Sequence, residues 1–124
     1  MNTRDPKLIA LQFNEFINAR DLEGLTSLMS ETYTFIDSAN DEYHGKDVMT
    51  EGWNEFFRRY PDYTNVFTKV CSRDNLVVMI GYSTCSNEPE LDGPALWTAI
   101  IENDLVAEWR VYDDTEDNRK KFDL

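Results

Sequence analysis

The chain offers chemistry in few places. Asp37 closes the apolar run Tyr33-Thr34-Phe35-Ile36, so a carboxylate stands where a strand gives way to a polar loop. A carboxylate beside aromatic rings can take a proton as a general base. A strand-end aspartate can equally cap its loop by accepting backbone N–H bonds, and both roles stay open. His44, the single histidine, directly precedes Gly45. It can exchange protons near neutral pH and assist Asp37, or it can tie down its loop. These two are the candidate catalytic residues. No cluster of Cys, His or Glu surrounds His44, so no metal site is expected. Glu88, Glu90 and Asp92 lack the spacing of a calcium loop and read as a solvated acidic segment. There is no Gly-rich phosphate loop, nucleophile elbow or Cys–His pair. What remains open is proton transfer without a cofactor, on a small and largely apolar organic molecule.

Rings must shape the place where such a molecule sits. The 124 residues include three tryptophans, six tyrosines and seven phenylalanines, enough for a ring-rich core or a ring-lined pocket. The expected ligand contacts are Phe13, Tyr33, Trp53, Phe57, Tyr63, Leu96, Trp109 and Val111. Trp53 and Trp109 would shape the pocket, and Tyr33 or Tyr63 would donate to a substrate oxygen. Trp53, Phe57 and Tyr60 recur at helical spacing, which reads as core first and pocket wall second.

The elements that position these residues follow from periodicity. Thr3 or Asp5 can cap a helix with Pro6 in its first turn. Leu8, Ile9, Leu11, Phe13, Phe16 and Ile17 form its apolar stripe. Asp21 caps a short second helix that buries Leu22, Leu25, Leu28 and Met29. Residues 32–37 read as a strand and residues 38–45 as a polar loop. Val48, Met49, Trp53, Phe56, Phe57 and Tyr60 mark a third helix, ended by Pro61. The rest reads as β: residues 63–72 and 76–86 around a short turn, a loop over 87–93, then 94–102 and 105–112 around Asn103-Asp104. Residues 113–124 read as a charged tail without a core-forming pattern. Helices first and an antiparallel meander last give an α+β domain. A strongly bent sheet around the long first helix makes a cone whose open end is a pocket.

Size and composition set the outer bounds. One domain spanning residues 1–124 is expected. The net charge of −12 repels nucleic-acid phosphates and anionic membranes. No apolar run reaches the length of a membrane span, and the N-terminus lacks the apolar region of a signal peptide. Cys71 and Cys85 fall too far apart along neighbouring strands for an easy disulfide and read as buried thiols in a reducing compartment. A cytoplasmic location is the expectation.

Taken in order, residues 16–25, residues 35–37, His44-Gly45, the aromatic helix ending at Tyr60-Pro61, and residues 108–113 resemble SnoaL-like proteins of the nuclear-transport-factor-2-like superfamily. The resemblance covers roughly residues 8–115. It implies the cone-shaped nuclear-transport-factor-2-like fold, with N-terminal helices packed in a strongly curved antiparallel sheet. In the ketosteroid isomerases of that superfamily an aspartate closing the first strand is the base, and Asp37 matches it. Their oxyanion-hole tyrosine matches Phe13, which has no hydroxyl. Their protonated aspartate matches Leu96 or Trp97, neither of them an acid. A steroid-isomerase mechanism therefore lacks its oxyanion donors. The Asp-Arg-Asp set of related epoxide hydrolases is matched only in part, by Asp37, Arg110 and Asp113. The dehydratases' two histidines are not matched. The cyclases' late acid has loose counterparts in Asp113 and Asp114.

A two-residue turn at Asn103-Asp104 pairs Thr98 with Trp109 and Trp97 with Arg110. Trp109 then points inward with Leu96, Ile100 and Val111. Trp97, Ala99, Ile101, Val106 and Tyr112 point outward, on a face too apolar for water. A homodimer through that outer face is the expected partner arrangement, with Glu108 and Arg110 setting register. The alternative function is a non-catalytic, dimeric ligand-binding or assembly module.

Overall fold

The structure is a computed structural model, and it describes residues 4–86 and 88–124. Helix α1 runs Pro6–Ala19, with Asp5 as its cap; the Asp5 side chain accepts from the Lys7 N–H at 3.0 Å. The alternative cap, Thr3, lies outside the described residues. Ile9, Ala10, Phe13 and Ile17 form the buried stripe, whereas Leu8 points to solvent. Arg20 ends the helix in the left-handed conformation, φ 55°. Asp21 then caps α2, Leu22–Ser27, by accepting from the Gly24 N–H at 3.0 Å. A Cβ on Gly24 would stand 2.7 Å from the Phe16 ring, so only glycine lets the two helices close this corner.

Strand β1, Met29–Ile36, delivers Asp37 at its end. The segment expected to be all loop contains a short strand, β2, Glu42–His44, antiparallel to β1. Three exposed residues carry no burial alternation, so this strand leaves no pattern in the sequence. Helix α3 is Lys46–Arg59. Strands β3 (Thr64–Arg73), β4 (Leu76–Thr84), β5 (Gly93–Glu102) and β6 (Leu105–Asp113) form the meander. The loop before β5 holds a single turn of 3-10 helix, Pro89–Leu91. The six strands make one curved, unclosed sheet in the order β2-β1-β6-β5-β4-β3. Its one departure from the antiparallel expectation is the β1–β6 pairing, which is parallel. Helix α1 lies in the concave face, where Phe13 packs 4.8 Å from the Trp109 ring and 5.9 Å from Tyr33.

The β5–β6 register overturns the expected facing of the tryptophans. Asn103 and Asp104 both take positive φ, 54° and 62°, as a two-residue hairpin turn requires. Pairing starts as expected at Glu102–Leu105 and Ile101–Val106, then slips by one residue. Beyond the slip Ala99 faces Trp109 and Trp97 faces Val111. One bulged residue flips everything after it to the other face. Trp97, Ala99, Ile101 and Val106 are therefore core residues, not an outer apolar patch. Leu96, expected beside the ligand, belongs to the opposite face with Tyr112, its partner across the strands. Leu96 is fully buried there.

What lies over that convex face is the segment read as a structureless tail. It forms a short helix, α4, Glu116–Lys121, capped by Thr115, which accepts from the Asn118 N–H at 3.1 Å. Phe122 meets Tyr112 edge-on at 5.1 Å, and Asp123 pairs with Arg73 at 3.2 Å. A second glycine is dictated by close approach: a Cβ on Gly81 would fall 1.9 Å from the Val66 carbonyl oxygen, beside the β3 bulge. Neither cysteine forms a disulfide.

Candidate functional site

The concave face is filled under α1 and hollow beneath α3. There a cavity of about 440 Å³ opens between α3, the β1–β2 corner and the ends of β5 and β6. Its wall holds seven rings. Phe35 comes from β1 and Tyr43 from β2, directly paired in the sheet and 6.1 Å apart. Trp53 and Phe56 come from α3, and Tyr63 from the start of the meander. Trp97 and Trp109 form the floor. Trp53 is the hub, with Phe35 at 5.9 Å and Phe56 at 5.7 Å, both edge-on. Phe56 in turn meets Tyr63 edge-on at 4.9 Å. All three tryptophans of the chain line this one cavity.

Among the described residues Asp37 carries the only charge in the lining. Its Oδ1 accepts from the N–H groups of Ala39 and Asp41, both at 3.0 Å, so the carboxylate does cap its loop. The other oxygen takes no backbone bond, and the carboxylate borders the cavity. The base and the cap, posed as alternatives by the sequence, are thus compatible in one side chain. The Tyr43 hydroxyl lies beside the same carboxylate. The Asp37 charge, then desolvation and the Asp41 charge, raise the Tyr43 phenol above its ordinary pKa and keep it protonated.

Across the cavity, burial pushes the Tyr63 phenol up to about 12, against hydrogen bonding from Ser83 and Asn65 that pulls the other way. Asn65 heads a set of amides joining β3 to α1. Its N–H donates to Asn18 Oδ1 at 2.9 Å, and its carbonyl accepts from Asn14 and Asn18 at 3.3 and 2.9 Å. The Asn14 amide nitrogen is committed to that carbonyl, so its oxygen accepts from Asn65 Nδ2 at 3.1 Å. Asn65 Oδ1 is left as the free end, buried without a partner in the cavity wall.

The remaining expected contacts lie elsewhere. His44 sits one residue beyond Tyr43, so strand alternation turns it to the other face of β2. It pairs there with Thr34 at 3.1 Å and Glu42 at 3.2 Å, in solvent. Phe13 and Tyr33 are fully buried in the core rather than in the lining. Burial raises the Tyr33 phenol, and its hydroxyl and the neighbouring Trp53 Nε1 both lack a partner of hydrogen-bonding geometry. Phe57 is half-buried against the core, one position round α3 from the wall residue Phe56. Of the expected set the cavity brings together Asp37, Trp53, Tyr63, Trp109 and Val111. Sequence reasoning missed Tyr43, Phe35, Phe56, Trp97 and Asn65. A tyrosine standing alone in the polar segment before Gly45 was the one available signal for Tyr43.

A second hollow, of about 510 Å³, lies on the convex side beside α4. It is walled by Thr68, Tyr82, Pro94 and Arg119, and its cation is already held by Asp114 at 2.6 and 2.9 Å. That pairing depresses the Asp114 carboxyl. It offers one ring, and its remaining charge, the Asp92 carboxylate, accepts from the Cys85 N–H. Among the described residues no group of three or more His, Cys, Asp or Glu side chains could hold a metal ion, and no helix is long and apolar enough to cross a membrane.

The model of the SnoaL-like domain matches residues 10–116. No curated protein matches the chain. Among solved structures it is similar to a candidate SnoaL-like polyketide cyclase from Shewanella denitrificans, at 16% identity and TM-score 0.78 over 95% of this chain and 96% of that one. An NTF2-like protein of unknown function from Cytophaga hutchinsonii aligns over 100% of both chains, at 15% identity and TM-score 0.74. A candidate ketosteroid isomerase from Kribbella flavida aligns over 86% of this chain and 76% of its own, at 15% identity and TM-score 0.73. At such identities the likeness is one of fold.

Proposed function

The chain belongs to the SnoaL-like domain family, and from that premise we propose that it takes up a small, largely apolar organic molecule in the ring-walled cavity, where Asp37 removes a proton. The observation that carries this reading is the convergence of Asp37 and Tyr43 on one cavity. Asp37 would accept a proton from a carbon next to a carbonyl. The Tyr43 phenol, held protonated, would donate to the oxygen on which charge develops. Return of the proton to another carbon completes an isomerisation, and no cofactor enters the balance.

The test is exchange of the α-protons of a small cyclic ketone, 2-tetralone, in heavy water, followed by proton NMR. The protein should accelerate exchange, and Asp37→Asn should slow the protein-dependent rate by roughly 100-fold or more. Asparagine keeps an acceptor oxygen for the Ala39 and Asp41 N–H groups, so the loop stays capped. Equal rates in the two proteins would remove Asp37 as the base.

A second reading has its own support. Phe13 and the Leu96-Trp97 pair stand where the resemblance calls for a tyrosine hydroxyl and a protonated aspartate, and none of them is either. The protein would then be a non-catalytic, dimeric ligand-binding or assembly module. Tryptophan quenching by the ketone without accelerated exchange distinguishes it.

A further inference from the structure

We infer that the cavity selects a cationic ligand: an organic ammonium whose apolar body lies among the rings and whose charge is met by Asp37. This rests on reading the cavity as a ligand site, and not on Asp37 acting as a base.

Three observations carry it. The first is the sign of the lining. Among the described residues Asp37 is its only formal charge, and no Lys, Arg or His takes part. One oxygen of Asp37 is committed to the Ala39 and Asp41 N–H groups, and the other takes no backbone bond. The second is the wall. Ring faces are electron-rich and attract an ammonium, tryptophan most strongly, and three tryptophans stand here with two phenylalanines and two tyrosines. A cavity meant for a carboxylate or phosphate would need a donor cation, and among the described residues none lines it. Arg110, the nearest in sequence to the floor, follows Trp109 and so points to the convex side. It is held there by Asn40 at 2.7 Å and lies over the Tyr112 ring at 4.5 Å.

The third is the charge around the mouth. The corner and floor of the cavity come from two stretches, residues 21–45 and 74–109, that contain no Lys or Arg at all. Asp41 flanks the corner, and Glu90 precedes Leu91 at the opposite rim. With a net charge of −12 the whole field draws cations inward and repels anions.

The experiment compares two molecules of nearly the same shape, phenyltrimethylammonium and tert-butylbenzene. Because every tryptophan lines the cavity, intrinsic fluorescence reports its occupancy directly, and calorimetry supplies a second readout. The cation should bind at least tenfold more tightly than the neutral isostere, with an advantage that shrinks as salt rises. Asp37→Asn should remove most of that advantage while leaving the affinity for tert-butylbenzene within about twofold. Binding of tert-butylbenzene as tightly as the cation would overturn the inference and leave the ligand site standing. A preference that survives Asp37→Asn would overturn the assignment of Asp37 as the counter-charge. Failure of both compounds to perturb the tryptophans would overturn the ligand-site reading, and this inference with it.

Discussion

Two halves of one concave sheet face, built from the same rings and aliphatic side chains, end differently. Under α1 the space is solid: Ile9, Phe13, Ile17 and Leu25 have no exposure at all. Under α3 it is a hollow of about 440 Å³. The difference lies in how each helix is held. Asn14 and Asn18 peg α1 down onto the edge of β3 through both backbone groups of Asn65. Helix α3 is tied sideways, to α2 through Thr26 and Thr50 at 3.2 Å and to the β1–β2 corner. Hydrophobic burial draws both helices inward, but directional hydrogen bonds decide how close a helix sits. A helix held at its flank can stand off and leave room.

The sharpest way to break this contrast is to truncate one ring in each half. Phe13→Ala should lower stability by about 3–5 kcal/mol, because the solid half cannot collapse around the gap. Phe56→Ala, whose ring already borders empty space, should lose no more than about half as much while weakening ligand binding. Urea unfolding of both variants checks this, and equal losses would show that the two halves are packed alike.

Next in size is alkaline unfolding. The folded Tyr63 phenol titrates near 12 and the unfolded one near 10. Above pH 10 the unfolded chain therefore binds fewer protons, and stability falls as pH rises from 10 to 12. The loss attributable to Tyr63 is on the order of 2 kcal/mol. Tyr63→Phe has no such group and should lose correspondingly less across that window, as measured by denaturant midpoints at stepped pH.

The smallest expected effect concerns the peg itself. Asn65→Leu leaves the Asn14 amide oxygen without its donor and should cost about 1–2 kcal/mol. A double-mutant cycle with Asn14→Leu should recover much of that cost. Additive losses would show that the amides do not act as one unit.

Much of the fold was written along the chain, because its signals are local. Asp5 and Asp21 cap the helices they precede, the stripe of Ile9, Phe13 and Ile17 faces the core, and Pro61 follows the end of α3. The site was legible at its strand-end acid and in part at its rings. Asp37, Trp53 and Trp109 could be placed because each sits at a fixed point of one element. Trp97 could not, since a single bulged residue between Ala99–Trp109 and Ile101–Val106 reverses its face. Nor could α4: six polar and charged residues carry no apolar period, and the helix rests on its Thr115 cap and on the Phe122 contact beyond it.

By itself, then, the sequence determined the first three helices, the first strand and the four strands of the meander, and that one carboxylate ends the first strand. Those outcomes depend on caps, periodicity and turn residues within a few positions of each other. Only the tertiary structure decided which rings share a cavity with that carboxylate, that Tyr43 joins it while His44 turns away, and that the hollow lies under α3. These depend on strand register and helix height, which are set by pairings between residues far apart in the chain.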